Sequence, residues 1–401
     1  MKRSVPANRG LAGGYSVAAT IVEQNKEELD MLHTVAVGDV DGSGKPDIVV
    51  GNIWIPGETA GKTFRVRWYR NGDWRPRDIY VGELESARLL LHDVSGTGRP
   101  DVMRASRYGN TLSWLEAPKD PTEGEWREHI IDRFPIVHDI AVGDIDGDGR
   151  GEVVAGAVND QGGCLYWYRI PEDPRGPWRR NVIDGEINRT QAGDHWGGHG
   201  LDLFDIDGDG RLDALTTSMG QGRFLWYRNP GPPFTGIWEK RWIGGSQEEG
   251  TSCLIRAVRG PSVGAPMVFA GGEHPMGSGE NLTPENRKFM LFTPAGDAHA
   301  EPWNREILDA PGEVHDIRIV DIDRDGTPEV LVANRIQNRL LCYDYWEGRW
   351  NRLVLDDTIQ ASDIAVADFD ADGELEIAAV GLRTADVKIY KITLHEGKPR
   401  T

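Results

Sequence analysis

A short acidic loop recurs along the chain and constrains its fold more than any other feature. It reads GDVDGSGKPD at 38–47, GDIDGDGRGE at 143–152, FDIDGDGRLD at 204–213, VDIDRDGTPE at 320–329 and ADFDADGELE at 367–376, with a worn copy, HDVSGTGRPD, at 92–101. Oxygen-bearing side chains at loop positions one, three, five and nine surround one point, an arrangement suited to a hard cation, above all calcium. The expected ligands are Asp39, Asp41, Ser43 and Asp47; Asp144, Asp146, Asp148 and Glu152; Asp205, Asp207, Asp209 and Asp213; Asp321, Asp323, Asp325 and Glu329; and Asp368, Asp370, Asp372 and Glu376. The worn loop has Ser95 and Thr97 in place of carboxylates and is expected to bind weakly or not at all. A unit repeated about every fifty residues, with apolar runs on both sides of each loop, signals a propeller or solenoid whose units bury their faces against one another.

Strand patterns dominate, and each repeat keeps one order. An apolar strand such as HDIAVGD leads into the loop, and a second strand such as EVVAGAV leaves it. A third is aromatic, as in VRWYRNG, LYWYRIP and FLWYRNP, and a fourth opens with Trp, as in WREHIID, WRRNVID and WNREILD. Four short antiparallel strands make one propeller blade. A seventh first strand, TSCLIRAVRG, precedes a segment at 258–267 that lacks the carboxylates, so no cation is expected there. The last repeat ends at DVKIYKITLHEG with no fourth strand, whereas YSVAATIVEQ at 15–24 is a spare strand ahead of the first repeat. The expectation is all-β: one seven-bladed propeller of four-stranded antiparallel blades over 15–396. The N-terminal strand closes the ring and removes the open edges. Residues 1–14 form an extension and 397–401 a tail. The Trp that opens each fourth strand reads as blade packing.

A net charge of −19 excludes nucleic acid or an anionic membrane as the main partner. Cys164, Cys253 and Cys342 are too few and too widely spaced for a disulfide framework, and Cys164 and Cys342 lie in apolar strands as core thiols. No apolar run is long enough to span a bilayer. No apolar stretch follows Met1-Lys2-Arg3, so no signal peptide is expected, and the compartment is left open between cytoplasm and secretion with a leader removed.

The repeated order of apolar strand, DxDGDG loop and apolar strand resembles the FG-GAP or VCBS family of seven-bladed propellers over essentially the whole chain. That resemblance implies the fold and structural calcium; such propellers include both adhesion modules and enzymes.

A second periodicity lies within the first. His33, His138, His199 and His315 each stand six residues before the first loop Asp, with Ala87, Ser252 and Ser362 as approximate equivalents elsewhere. The first strand of a propeller blade lines the central channel. A residue six positions before the acidic loop therefore belongs at the opposite mouth, where four imidazoles would gather. The loop after each second strand returns to that mouth. Those loops add Asn52, Trp54, Arg104, Arg107, Tyr108, Asn159, Asp160, Ser218, Gln221, Glu273, His274, Asn334, Arg335 and Arg383, and the connection EINRTQAGDHWGGHG adds His195 and Trp196. A mouth rich in His and Arg on an acidic protein suits an anionic or polyhydroxy ligand, with Arg binding carboxylate and aromatic rings stacking on sugar.

Carboxylate neutralisation beside a histidine base is what β-elimination from a uronic acid requires, and a keto-sugar dehydratase needs the same chemistry beside a carbonyl. In this reading His33, His138, His199, His315, His195, Arg104, Arg107 and Arg335 carry catalysis, two or three of the histidines hold a divalent metal, and Asn52, Trp54, Tyr108, Asn159, Trp196, Gln221, Glu273, His274, Asn334 and Arg383 bind substrate. The His-first strands and the WYRNPG and WLEAP segments resemble the rhamnose–glucuronate lyases and the propeller domain of aldos-2-ulose dehydratases. The cupin-like domains that follow the latter have no counterpart in these residues, which puts the lyase ahead of the complete dehydratase. A non-catalytic carbohydrate- or protein-binding propeller, and a metal-dependent sugar hydrolase or epimerase, are the alternatives. The protein is expected to act as a monomer on a carbohydrate.

Overall fold

The computed structural model describes residues 14–53, 63–160, 162–187, 197–218, 221–234, 236–245, 251–260, 264–273 and 287–395. They form seven four-stranded antiparallel sheets. We number them as blade 1 (32–82), blade 2 (88–133), blade 3 (136–184), blade 4 (197–244), blade 5 (251–309), blade 6 (316–356) and blade 7 (361–394). In blade 3 the strands Ile136–Gly143, Glu152–Asn159, Gly162–Tyr168 and Arg180–Asp184 pair in sequence order, and the acidic loop joins the first two. The outermost strand of blade 7 is Tyr15–Gln24, which pairs with Asp386–Leu394 from Tyr15 opposite Leu394 to Gln24 opposite Asp386. The N-terminal strand thus closes the ring as its spare position in the repeat count requires.

The core lies between blades. Met103, Leu112 and Trp114 of blade 2 pack with Val137, Val153 and Tyr168 of blade 3 in one buried cluster, and the other interfaces repeat the pattern. The fourth-strand tryptophans Trp126, Trp178, Trp238 and Trp303 are buried in these seams, which makes them packing residues. Second strands such as Asp47–Asn52 and Glu329–Asn334 are buried at every position, so they read as apolar runs instead of alternating patterns.

A polar staple crosses five of the seven interfaces. The buried third-strand Tyr donates its hydroxyl to an acid on the fourth strand of the preceding blade: Tyr69 to Glu23, Tyr168 to Asp132, Tyr227 to Asp184, Tyr343 to Asp309 and Tyr390 to Asp356, at 2.5–2.8 Å. A base completes each one, namely Arg67, Arg180, Lys240, Arg352 and Lys388. Blades 2 and 5 carry Leu115 and Phe292 at the same register and lack the hydroxyl.

Candidate functional site

The acidic loops form as the sequence predicts. The head residue Asp144 takes the amides of Gly147 and Gly149 at 2.8 and 3.0 Å, and the same wrapping recurs on Asp205. Two left-handed residues make the turn, Gly147 and Gly149 in blade 3; blades 6 and 7 place Arg324 and Ala371 at the first of them with φ 60°. In four loops the ligand atoms of positions one, three and nine lie within 4.8 Å of one another: Asp39, Asp41 and Asp47; Asp144, Asp146 and Glu152; Asp205, Asp207 and Asp213; Asp368, Asp370 and Glu376. In blade 6 the close group is Asp321, Asp323 and Asp325. Donor number and chemistry fit a divalent cation. The position-five carboxylates Asp148, Asp209 and Asp372 stand outside the close groups, and Asp209 and Asp372 instead meet Arg228 and Lys391, whereas Ser43 bonds Asp41 of its own group. Burial drives the position-nine acids up, Asp47 to about 6 and Glu152 and Asp213 to about 7, as expected of carboxylates crowded together without a counter-ion. Among the described residues the worn loop at Asp93 forms no group of three carboxylates, because Ser95 and Thr97 take the places of acids at positions three and five.

At the opposite end of the first strands the four histidines converge. His33, His138, His199 and His315 line one cavity of about 30 Å³ together with Arg88 and Arg107. The rings come in two pairs, His33 with His315 at 5.0 Å between centroids and His138 with His199 at 4.6 Å. His33 Nδ1 lies 2.9 Å from the Ala87 carbonyl, and His315 Nδ1 bonds the Ser362 carbonyl. A carbonyl only accepts, so Nδ1 carries the proton in both rings and Nε2 keeps its lone pair. Burial, and then the His315, Arg335 and Arg88 charges, hold His33 well below the usual imidazole range, so it is neutral at pH 7. The cavity has room for a water or two. Among the described residues, the groups of three ligand atoms within 4.8 Å are the five acidic loops, and the histidines do not form one.

The other mouth residues divide. Arg107 lines the cavity and lies over the Tyr108 ring at 4.9 Å. Arg104 does not reach it: the second strand is buried on both faces, and Arg104 points into the blade 1–2 seam, paired with Glu128 and over Tyr80 at 4.1 Å. Arg335 is committed to buried Glu313, with Nη2 to Oε1 at 2.8 Å and its own amide to Oε2 at 2.9 Å. Asn52, Asn159 and Asn334 end their second strands by donating to backbone carbonyls of Asp30, Gly185, and Pro311 and Glu313. They shape the returning loops. Arg383 is exposed, and its amide bonds Gln360. Gln221 opens the short turn into the third strand of blade 4. Trp54, His195, Trp196 and His274 lie outside the described residues, as does the side chain of Glu273.

Below the histidines a charged plug fills the channel, which sequence reasoning missed. Arg88 binds Asp139 and Asp363 at 2.9 Å each and faces Asp316 at 3.6 Å; Arg318 adds contacts to Asp316 and Asp363 at 3.2 and 3.1 Å. The second oxygens of Asp139, Asp316 and Asp363 accept the amides of Leu201, Ile364 and Val35, each on the next blade. Burial pushes Asp316 up, with Arg318 opposing; burial also works against the Asp363 charge, but Arg88 and Arg318 outweigh it and hold that carboxyl down. The signal was present as the Asp that follows the histidine position in HDIAVGD, HDIRIVD and SDIAVAD. Beyond the plug, toward the acidic loops, a wider cavity of about 660 Å³ opens between apolar first-strand residues such as Val37, Leu91, Val142 and Val366.

With this geometry in view, similarity to known proteins is informative. A family model for the FG-GAP-like repeat matches residues 93–155 and 321–379. The chain is 25% identical over 282 residues to aldos-2-ulose dehydratase of Phanerodontia chrysosporium, an alignment covering 61% of this chain and 27% of that protein. The chain thus spans about a quarter of the relative it matches. Among solved structures, the WD40 domain of Toxoplasma gondii coronin has a TM-score of 0.55 at 9% identity, covering 96% of this chain and 88% of that one. An Agrocybe aegerita lectin specific for non-reducing terminal N-acetylglucosamine has a TM-score of 0.51 at 14% identity, covering 91% and 86%. These two likenesses concern the propeller fold alone. Acidic loops, blade order and ring closure agree with the family match, and the chain carries FG-GAP-like repeats on a seven-bladed propeller.

Proposed function

We propose that the histidine mouth is the active site of a carbohydrate lyase or dehydratase acting by β-elimination on a uronic-acid-containing or keto sugar. The observation that carries this reading is the gathering of His33, His138, His199 and His315 from four blades around one small cavity beside Arg107. A propeller needs no imidazole there for its fold, since blades 2 and 7 place Ala87 and Ser362 at the same position. The match to a dehydratase named for aldos-2-uloses supports it.

In the proposed reaction the sugar lies over the cavity with its carboxylate or carbonyl against Arg107. The guanidinium stays protonated and draws charge from the adjacent carbon, which makes that C–H bond more acidic. A neutral imidazole takes the proton at Nε2. The C–H electron pair becomes the carbon–carbon double bond, the C–O bond to the leaving group breaks, and a second, protonated imidazole delivers a proton to the departing oxygen. The carbonyl bonds at Nδ1 of His33 and His315 fix the ring orientation and leave Nε2 for this role. No step is routed through a metal. Calcium in the acidic loops would be structural.

The test is incubation with uronic-acid oligosaccharides and keto sugars, followed by new ultraviolet absorbance from the unsaturated product. Single His→Ala variants should lose turnover while keeping the wild-type melting profile. Full activity in all four variants overturns the catalytic reading, and sugar binding without product formation establishes a binding module instead.

A further inference from the structure

The five acidic loops are not equivalent, and the difference lies outside them, on the third strand. The residue after the stapling Tyr faces each loop. In blades 1, 3, 4 and 7 it is basic: Arg70 contacts Asp41 at 2.7 Å, Arg169 pairs with Asp146, Arg228 reaches Asp207 at 2.6 Å, and Lys391 reaches Asp370 at 2.5 Å and Asp372 at 2.6 Å. These loops contain their own cation. Register fixes the equivalence, since Tyr69, Tyr168, Tyr227, Tyr343 and Tyr390 pair with Ile48, Val153, Ala214, Val330 and Ile377. Blade 6 has Asp344 there, 1% exposed.

Position nine separates the loops further. Where it is Asp, as at Asp47 and Asp213, both carboxylate oxygens accept backbone amides. Where it is Glu, Oε2 accepts the amide and the extra methylene leaves Oε1 turned to the loop. In blade 7 that oxygen meets Lys391 at 3.2 Å. In blade 6 Glu329 is fully buried and, among the described residues, its Oε1 has no hydrogen-bond partner, and neither has Oδ2 of Asp323, itself only 6% exposed. Buried acceptors of this kind are costly unless something positive meets them. Blade 3 is intermediate, with Glu152 Oε1 unpartnered but Arg169 on Asp146.

We infer that the blade 6 loop is the protein's dedicated divalent-cation site, that Asp344 is a ligand supplied from outside the loop, and that Arg70, Arg169, Arg228 and Lys391 stand in for the cation in the other four. This rests on reading the acidic loops as cation loops. Together with Asp321, Asp323, Asp325 and Glu329, Asp344 makes five carboxylates, which suits a calcium-sized ion taking six to eight oxygens.

Calorimetric titration of the chelator-stripped full chain with calcium chloride tests the assignment. One tight site is expected, with the remaining loops at least about 30-fold weaker. Asp344→Arg should remove that site and, by placing a positive charge beside Asp323 and Glu329 as Arg70 and Arg228 do in their loops, melt at a higher temperature than wild type in chelator while losing the calcium-dependent rise. Asp344→Asn, which keeps the shape, should weaken the site at least about 10-fold and decides the matter if the Arg variant does not fold. Five sites of equal affinity, or a tight site that survives both substitutions, would overturn the assignment while leaving cation binding by the loops intact. Absence of calcium, magnesium or manganese binding overturns both.

Discussion

Removing one hydroxyl from the seam between blades 6 and 7 should measure what a staple contributes. Tyr390 is 1% exposed, and its hydroxyl lies 2.7 Å from Asp356 Oδ2, which also receives Lys388 Nζ at 2.9 Å. Thr358 donates its amide and hydroxyl to the other oxygen at 2.7 and 2.6 Å. Burial opposes the Asp356 charge, but the bonds from Thr358, Tyr390 and Lys388 outweigh it and lower the carboxyl from 3.8 to about 2. At about 1.4 kcal/mol per unit, the whole set favours the charged form by about 2.5 kcal/mol. Tyr390 is one of three donors, so Tyr390→Phe should cost about 1 kcal/mol at pH 7, at the low end for a bond to a charged group because Lys388 and Thr358 remain. The sign follows from linkage. A lowered folded value stabilises the protein above about pH 4 and is lost as pH falls through about 2. The difference between wild type and variant should therefore shrink steadily below pH 4. Urea unfolding at pH 7 and at pH 2.5 reads both quantities. A cost under about 0.3 kcal/mol at neutral pH, or one that does not change in acid, would refute the reasoning.

Arg88→Met should destabilise the protein by about 3 kcal/mol in urea unfolding, because it leaves Asp139 buried without its guanidinium and takes one of two from Asp363; a neutral result would mean that the plug is not held by these pairs. Deleting residues 15–24 uncovers the edge of strand Asp386–Leu394 and should yield aggregated protein, while the same strand supplied as a peptide restores a monomer by light scattering.

The architecture was legible because its punctuation is local. Each acidic loop marks the turn between two strands, each WYR segment marks a third strand, and counting them exposes the missing fourth strand and the spare N-terminal one. The histidine position was legible by the same arithmetic, since a fixed offset from the loop on an extended strand fixes the end of the channel. Direction was not. Arg104 and Arg107 are three residues apart, yet only Arg107 reaches the cavity, because the strand Asp101–Ser106 is buried on both faces and buries Arg104 in the seam. Partnership across blades was not legible either. Tyr390 and Asp356 are 34 residues apart, Arg88 and Asp363 are 275 apart, and nothing periodic links them until the ring closes.

The two ends of the first strand are coupled mechanically but should be nearly independent electrostatically. Six residues of extended strand separate His33 from Asp39, and His315 from Asp321, which is about 20 Å at about 3.3 Å per residue. A divalent charge at that distance acts on an imidazolium with about 0.4 kcal/mol in a water-like medium. The Arg88 and Arg318 plug with its aspartates stands between the two ends and is polarisable. Calcium should therefore raise the melting temperature and leave the histidine titrations nearly where they were, within about 0.3 pH unit. Proton NMR of the imidazole Cε1–H signals, followed against pH with calcium and with chelator, measures this directly. A displacement of half a unit or more in the His33 or His315 titration would show that the loops reach the mouth through a rearrangement of the first strands, and the acidic loops would then belong to the site's chemistry as well as to the stability of the ring.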